Sequence, residues 1–228
     1  MIITELKAIQ DSIKKIIATL LFFIFEPLCG GCKTYVNPEM VLCNSCAQKI
    51  KPLVSVDHMI TQTHSITVYA AGAYQDPLQQ MILAKQYRDI GSCTLLAEII
   101  YQYTPIKNMD FDIIVPIPLH WSRFAFRGYN QAEEMAHVLS KKLGIPVVHL
   151  LTRNKKTKFQ LNLTAEDRTY NVKSAFKITH SHYIEKYKKC KILVVDDLMT
   201  TGSTIIEASK TLLSLKPTEL KAVVAART

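Results

Sequence analysis

Ile192-Leu193-Val194-Val195-Asp196-Asp197-Leu198-Met199-Thr200-Thr201-Gly202-Ser203-Thr204 is the stretch that decides the fold. Four consecutive apolar residues, opened by Lys191, suit a strand buried on both faces of a parallel sheet. Two carboxylates follow at the strand's end, where open α/β sheets bind their ligands. A hydroxyl-rich loop with one glycine then leads into a helix expected over Thr204–Leu215. Backbone N–H groups at that helix start can cradle a phosphate, with the Thr and Ser hydroxyls as further donors. Ionised Asp196 and Asp197 accept hydrogen bonds from ribose hydroxyls and can hold Mg²⁺ directly or through water. Together, Asp196, Asp197, Thr200, Thr201, Gly202, Ser203 and Thr204 describe a sugar-phosphate pocket. A Walker A loop is excluded, because no GxxxxGK motif precedes the hydroxyl pair.

Outward from this stretch, strands alternate with helices. Strands are expected at Ile66–Ala73, Phe111–Val115, Ile145–Val148 and Ala222–Ala225, and helices at Gln79–Tyr87, Leu95–Tyr103 and Gln131–Leu143, the last stopped by Gly144. That alternation predicts an α/β fold, a doubly wound parallel sheet spanning residues 53–228. Before it stand two smaller units. Residues 1–27 keep helical spacing at Ile3, Leu6, Ile9, Ile13, Ile17 and Leu20, which predicts an amphipathic helix. Its apolar run, Ile16–Phe25, is well short of the roughly 20 residues that cross a bilayer, so no transmembrane segment is expected. Residues 28–52 contain Cys29, Cys32, Cys43 and Cys46, two CxxC pairs whose spacing suits a structural zinc knuckle. With no secretory leader to favour disulfides, a reducing, cytoplasmic setting is expected.

The composition narrows the partners. The chain has 228 residues, 48% of them hydrophobic and 21% charged, with only 7 Gly and 9 Pro, which excludes a disordered or collagen-like chain. Its net charge of +9 is concentrated: Lys141–Lys191 holds 13 basic residues against three acidic ones. A concentrated excess suggests a surface that meets phosphate. Arg123 and Arg127 interleave with Phe124, Phe126 and Tyr129 beside Trp121, and Arg153, Lys155, Lys156, Lys158 and Arg168 surround Phe159. Rings can stack bases while cations track phosphates, so these residues are candidate contacts for single-stranded DNA.

The opening stretch resembles the phosphoribosyl-diphosphate signature of type I phosphoribosyltransferases. Val115–Arg123, Arg127–Ala132, Gln160, Arg168, Asn171-Val172, Ala175-Phe176, the four-cysteine knuckle, Lys85 with Tyr87, and Ala226-Arg227 resemble the ComF family of competence proteins. The resemblance covers residues 27–227 in order. It implies a role in natural transformation, handling internalised single-stranded DNA in the cytoplasm, with a competence helicase and a recombination mediator as partners. It also implies that the loop Pro116–Tyr129, with Pro116, Ile117, Pro118, Arg123 and Arg127, binds diphosphate, that Arg153–Asn171 closes over the ligand, and that Mg²⁺ accompanies phosphoribosyl diphosphate. The alternative is an active phosphoribosyltransferase moving ribose 5-phosphate onto a nitrogenous acceptor. No catalytic residue or acceptor can be read from the sequence, so turnover is left open.

Overall fold

A computed structural model of the chain describes residues 27–37, 40–51, 53, 55–84, 90–119, 128–154 and 174–228. The expected N-terminal helix therefore lies outside the described residues. Those residues form α1 (Asn44–Lys49), β1 (Val56–Met59), β2 (Ser65–Ala73), α2 (Leu78–Ala84), α3 (Ile90–Tyr103), β3 (Ile113–Pro116), α4 (Gln131–Leu143), β4 (Leu151–Arg153), β5 (Phe176–Ile178), α5 (Tyr183–Lys186), β6 (Lys191–Met199), α6 (Ser203–Leu212) and β7 (Glu219–Arg227). None of these helices is long and apolar enough to cross a membrane.

The main sheet has the order β1-β2-β7-β6-β3. Its four longer-range strands pair in parallel, while β1 returns antiparallel on β2 as an edge hairpin. The sheet is thus mixed rather than wholly parallel. The added edge is the Asp57–Ser65 region, whose polar composition gave no apolar alternation to read. Alternate residues of each central strand enter opposite cores, the consequence of a period of two. Leu193, Val195, Val223 and Ala225 pack with α3 and α4 on one face. Ile192, Val194, Ala222 and Val224 pack with α6 and the β4–β5 pair on the other. This is the double winding expected of the fold.

The Ile145–Val148 expectation needs correction. This segment meets β3 only through a single bridge, Val147 to Ile114. The Pro146 carbonyl accepts from the Ile114 N–H at 2.9 Å, and the Val148 N–H donates to the Ile114 carbonyl at 2.8 Å. Proline has no N–H to extend that ladder. The helix expected over Thr204–Leu215 is also shorter, running Ser203–Leu212 and tightening to a 3₁₀ turn at Leu213–Leu215.

The cysteine-bearing segment does not stand apart. Cys29, Val41, Leu42, Cys46 and Ile50 belong to the same apolar core as Leu78, Met81, Leu96 and Ile100. Close approaches lock it there: a Cβ on Gly31 would lie 2.9 Å from Cys46 Sγ and 2.9 Å from Pro77 Cβ. α4 is pinned to α3 by Lys142, whose Nζ lies 2.8 Å from Glu98 and 5.0 Å from the centre of the Tyr101 ring.

Candidate functional site

β6 continues past its apolar run: Asp196 pairs with Val224, Leu198 with Ala226 and Met199 with Arg227. Its other neighbour, β3, ends at Pro116 opposite Val195. Asp196 and Asp197 therefore project beyond β3 while still held by β7, both half-buried. The Asp197 N–H donates to Asp196 Oδ1 at 2.9 Å. On the β3 side, the Ile117 N–H donates to the Val195 carbonyl at 2.9 Å, which sets the Pro116–Pro118 segment one residue from the acid pair.

The loop after β6 reverses through Gly202, whose φ of 75° is left-handed and favours glycine. Gly202 caps α6 without a side-chain hydrogen bond, and its carbonyl accepts from the Ile206 N–H. Thr201 Oγ1 and Ser203 Oγ lie 2.9 Å apart. Acid pair, hydroxyl loop and helix start are thus contiguous at one end of the sheet, and hard oxygen donors of this kind suit Mg²⁺.

His58 is a neighbour that the sequence reading missed. A Cβ on Gly202 would sit 3.2 Å from His58 Nε2 and 3.3 Å from Cε1. That nitrogen is buried and has no hydrogen-bond partner among the described residues. Nothing in the local sequence around His58 marks this contact, which depends on β1 folding back beside the loop.

The second expected loop begins in a cleft of ≈ 320 Å³ lined by Pro116, Pro118, Asn130, Glu133, His149 and Arg153, among others. Asn130 fixes its floor. Its Nδ2 donates to the Ile117 carbonyl at 3.0 Å, while its Oδ1 accepts the Ala132 N–H at 3.2 Å and caps α4. Neither the acid pair nor residues 200–204 line this cleft.

Of the candidate DNA contacts, Arg123, Arg127, Lys155, Lys156, Lys158 and Arg168 lie outside the described residues. Arg153 is described, and it is not an open surface cation. It is 8% exposed, with its guanidinium carbon 5.3 Å from the centre of the Phe176 ring. Two other members of the basic segment are engaged as well, Lys142 by Glu98 and Lys188 by Glu185 at 3.2 Å.

All six cysteines are free thiols. The sulfurs of Cys29, Cys32, Cys43 and Cys46 all lie within 4.8 Å of one another, with Cys32 and Cys43 at 3.6 Å. A tetrahedral ion with 2.3 Å bonds to sulfur needs about 3.8 Å between sulfurs, so the set fits a metal. The environment differs around the ring of thiols. Hydrogen bonding from Thr34 and Cys43 lowers the Cys32 thiol to about 6. Burial, aided by the neighbouring thiols, raises Cys46 to about 12. Burial acts against Cys29 too, but N–H groups of Cys43, Cys32 and Gly31 outweigh it and lower its pKa.

Residues 127–228 match the phosphoribosyl transferase domain family. Over 202 residues the chain is 31% identical to Competence protein F of Haemophilus influenzae, covering 86% of this chain and 82% of that protein. It is 27% identical to the DNA utilization protein YhgH of Escherichia coli, over 82% of this chain and 78% of the relative. Competence protein ComFC of Bacillus subtilis is 23% identical, over 78% and 80% respectively.

Proposed function

The chain belongs to the ComF family of competence proteins, and on that premise we propose that it binds internalised single-stranded DNA in the cytoplasm and carries a phosphoribosyl-diphosphate pocket. The observation that carries the pocket is the placement of Asp196 and Asp197 against the loop that starts α6. In this reading the carboxylates accept from the ribose hydroxyls, and amides and hydroxyls of residues 200–204 hold the 5′-phosphate. The segment Pro116, Ile117 and Pro118, anchored by Asn130, receives the diphosphate together with Arg123 and Arg127. Mg²⁺ at the acid pair would offset the charge of the bound ligand.

Zinc is the proposed occupant of the four thiolates, with a structural role, because four protein ligands leave no position for substrate. The names of the relatives, competence and DNA utilization, support a DNA-handling role. Lys155, Lys156, Lys158, Arg168, Arg123 and Arg127 are the proposed strand contacts, and Arg153 shapes the adjoining cleft. A competence helicase and a recombination mediator are the proposed protein partners. Phosphoribosyl transfer is the second reading, favoured by the domain match: the ribose C1–O bond would break, diphosphate would leave with the electron pair, and an acceptor nitrogen would bond C1.

One set of samples tests these assignments. Calorimetry with phosphoribosyl diphosphate and Mg²⁺ should give one site, weakened at least tenfold in Asp196→Asn/Asp197→Asn. Oligonucleotide binding by the same variant should be unchanged, whereas Lys155→Ala/Lys156→Ala/Lys158→Ala should bind DNA with a shallower salt dependence. Equal ligand affinity in the acid-pair variant would refute the pocket. An unaltered salt slope would refute the strand contacts. Diphosphate release across a panel of bases decides between binding alone and turnover.

A further inference from the structure

Glu133, His137 and His149 form a second group of metal-ligating side chains, separate from the four cysteines. Glu133 and His137 are four residues apart on α4 and so share one face of that helix. His149 reaches the same place from the segment that follows the β3 bridge. Its neighbours are fixed there: Val148 donates to Ile114, and Leu150 donates to the Val148 carbonyl at 3.0 Å. The three donors therefore converge from two elements anchored to the core.

The distances are those of a nearly assembled chelate. His149 Nε2 lies 3.4 Å from Glu133 Oε1, and His137 Nε2 lies 4.0 Å from the same oxygen. All three donor atoms are within 4.8 Å of one another. Ligands about 2.0 to 2.1 Å from a tetrahedral ion are separated by about 3.3 Å, so small side-chain rotations complete the geometry. The two imidazoles, 6.5 Å apart at their centres and tilted by 60°, are not stacked. Their side chains are 52% and 54% exposed, and that of Glu133 is 33% exposed. As plain ion pairs at such exposure they contribute little. The first turn of α4 carries Glu133 and Glu134, which offset the positive end of the helix.

We propose that Glu133, His137 and His149 bind a divalent transition-metal ion of zinc-like preference at the rim of the cleft beside Pro116 and Pro118. Two imidazoles with one carboxylate select Zn²⁺, Co²⁺ or Ni²⁺ over the hard ions Mg²⁺ and Ca²⁺. Three protein ligands leave at least one coordination position open. Because Glu133 and His149 both line the cleft, an anion in the cleft lies within reach of the ion.

The test uses the full chain purified with its cysteine-held metal in place. Calorimetric titration with Zn²⁺ should show one further equivalent, and Co²⁺ added to the same sample should give an absorption spectrum without the intense thiolate charge-transfer bands of a sulfur site. His137→Ala and His149→Ala should each abolish that equivalent while leaving the cysteine-held metal and the unfolding midpoint unchanged. Glu133→Gln, which keeps the side chain's size, should weaken it at least tenfold. Absence of a further equivalent in the wild type, or its persistence in the His137→Ala/His149→Ala double variant, would overturn the proposal. So would equal displacement by Mg²⁺.

Discussion

Substituting alanine at Gly202 probes the contact between the hydroxyl loop and the β1 hairpin. Two separate costs follow from the geometry. A side chain at φ 75° carries the left-handed penalty, about 1 to 2 kcal/mol. The new methyl would also lie 3.2 Å from His58 Nε2 and 3.3 Å from Cε1, tighter than ordinary packing. Overpacking costs about 1 to 3 kcal/mol, and the low end applies because His58 sits half-buried on an edge strand that can yield. Gly202→Ala should therefore destabilise the protein by about 2 to 3 kcal/mol, which lowers the unfolding midpoint of a domain this size by about 4 to 12 °C. His58→Ala removes the crowding but not the backbone strain. In that background Gly202→Ala should cost only about 1 to 2 kcal/mol, a coupling of about 1 kcal/mol in a double-mutant cycle. Thermal and urea unfolding of the four proteins at one pH measure it. Equal cost with and without His58 would refute the contact, and a cost under about 0.5 kcal/mol would refute the left-handed turn.

Two further predictions concern the cysteine cluster. In metal-free protein at pH 7, Cys32, with a pKa of about 6, is mostly thiolate, whereas Cys46, at about 12, stays protonated. Timed alkylation followed by peptide mass mapping should label Cys32 well before Cys46, and Cys32 labelling should fall as the pH drops below 6; the reverse order would show that the local hydrogen bonds have been misjudged. Gly31→Ala should press on Cys46 Sγ and Pro77 Cβ together, both at 2.9 Å from the added carbon. Metal content should drop and stability should fall by about 1 to 3 kcal/mol; full metal content at wild-type stability would mean that the segment is not docked so closely.

How much was legible depended on how local the signal was. The two CxxC pairs could be read directly, since each pair needs only a tight turn to bring its sulfurs together, and the four do converge. The buried strands at Lys191 and Ala222 were equally plain from their apolar runs. Their lengths were not, because Asp196, Leu198 and Met199 stay in the ladder only through partners on β7. The polar Asp57–Ser65 region hid a hairpin whose exposed edge needs no apolar pattern. The apolar run at Ile145–Val148 has the pattern of a strand yet forms only a bridge, because hydrophobicity does not register the missing donor at Pro146. At the site, the acid pair and hydroxyl loop are one continuous stretch and were recognisable as a unit. His58 against Gly202, and His149 against Glu133, are products of tertiary folding that no spacing rule reports.

The order β1-β2-β7-β6-β3 has a consequence for the chain as a covalent object. Strands from the first part of the sequence flank the sheet, and the C-terminal pair, β6 and β7, is inserted between them. A break anywhere between Asn154 and Ser174 would leave one piece holding β1, β2, β3 and β4, with a two-strand gap in the main sheet, and another holding β5 and the β6–β7 pair that fills the gap. Neither piece can close a sheet by itself, yet each presents the ladder the other lacks. The fold is, in effect, a lock and key written into one polypeptide, whose halves meet through β2–β7, β3–β6 and β4–β5 pairing as well as through the peptide bonds that join them.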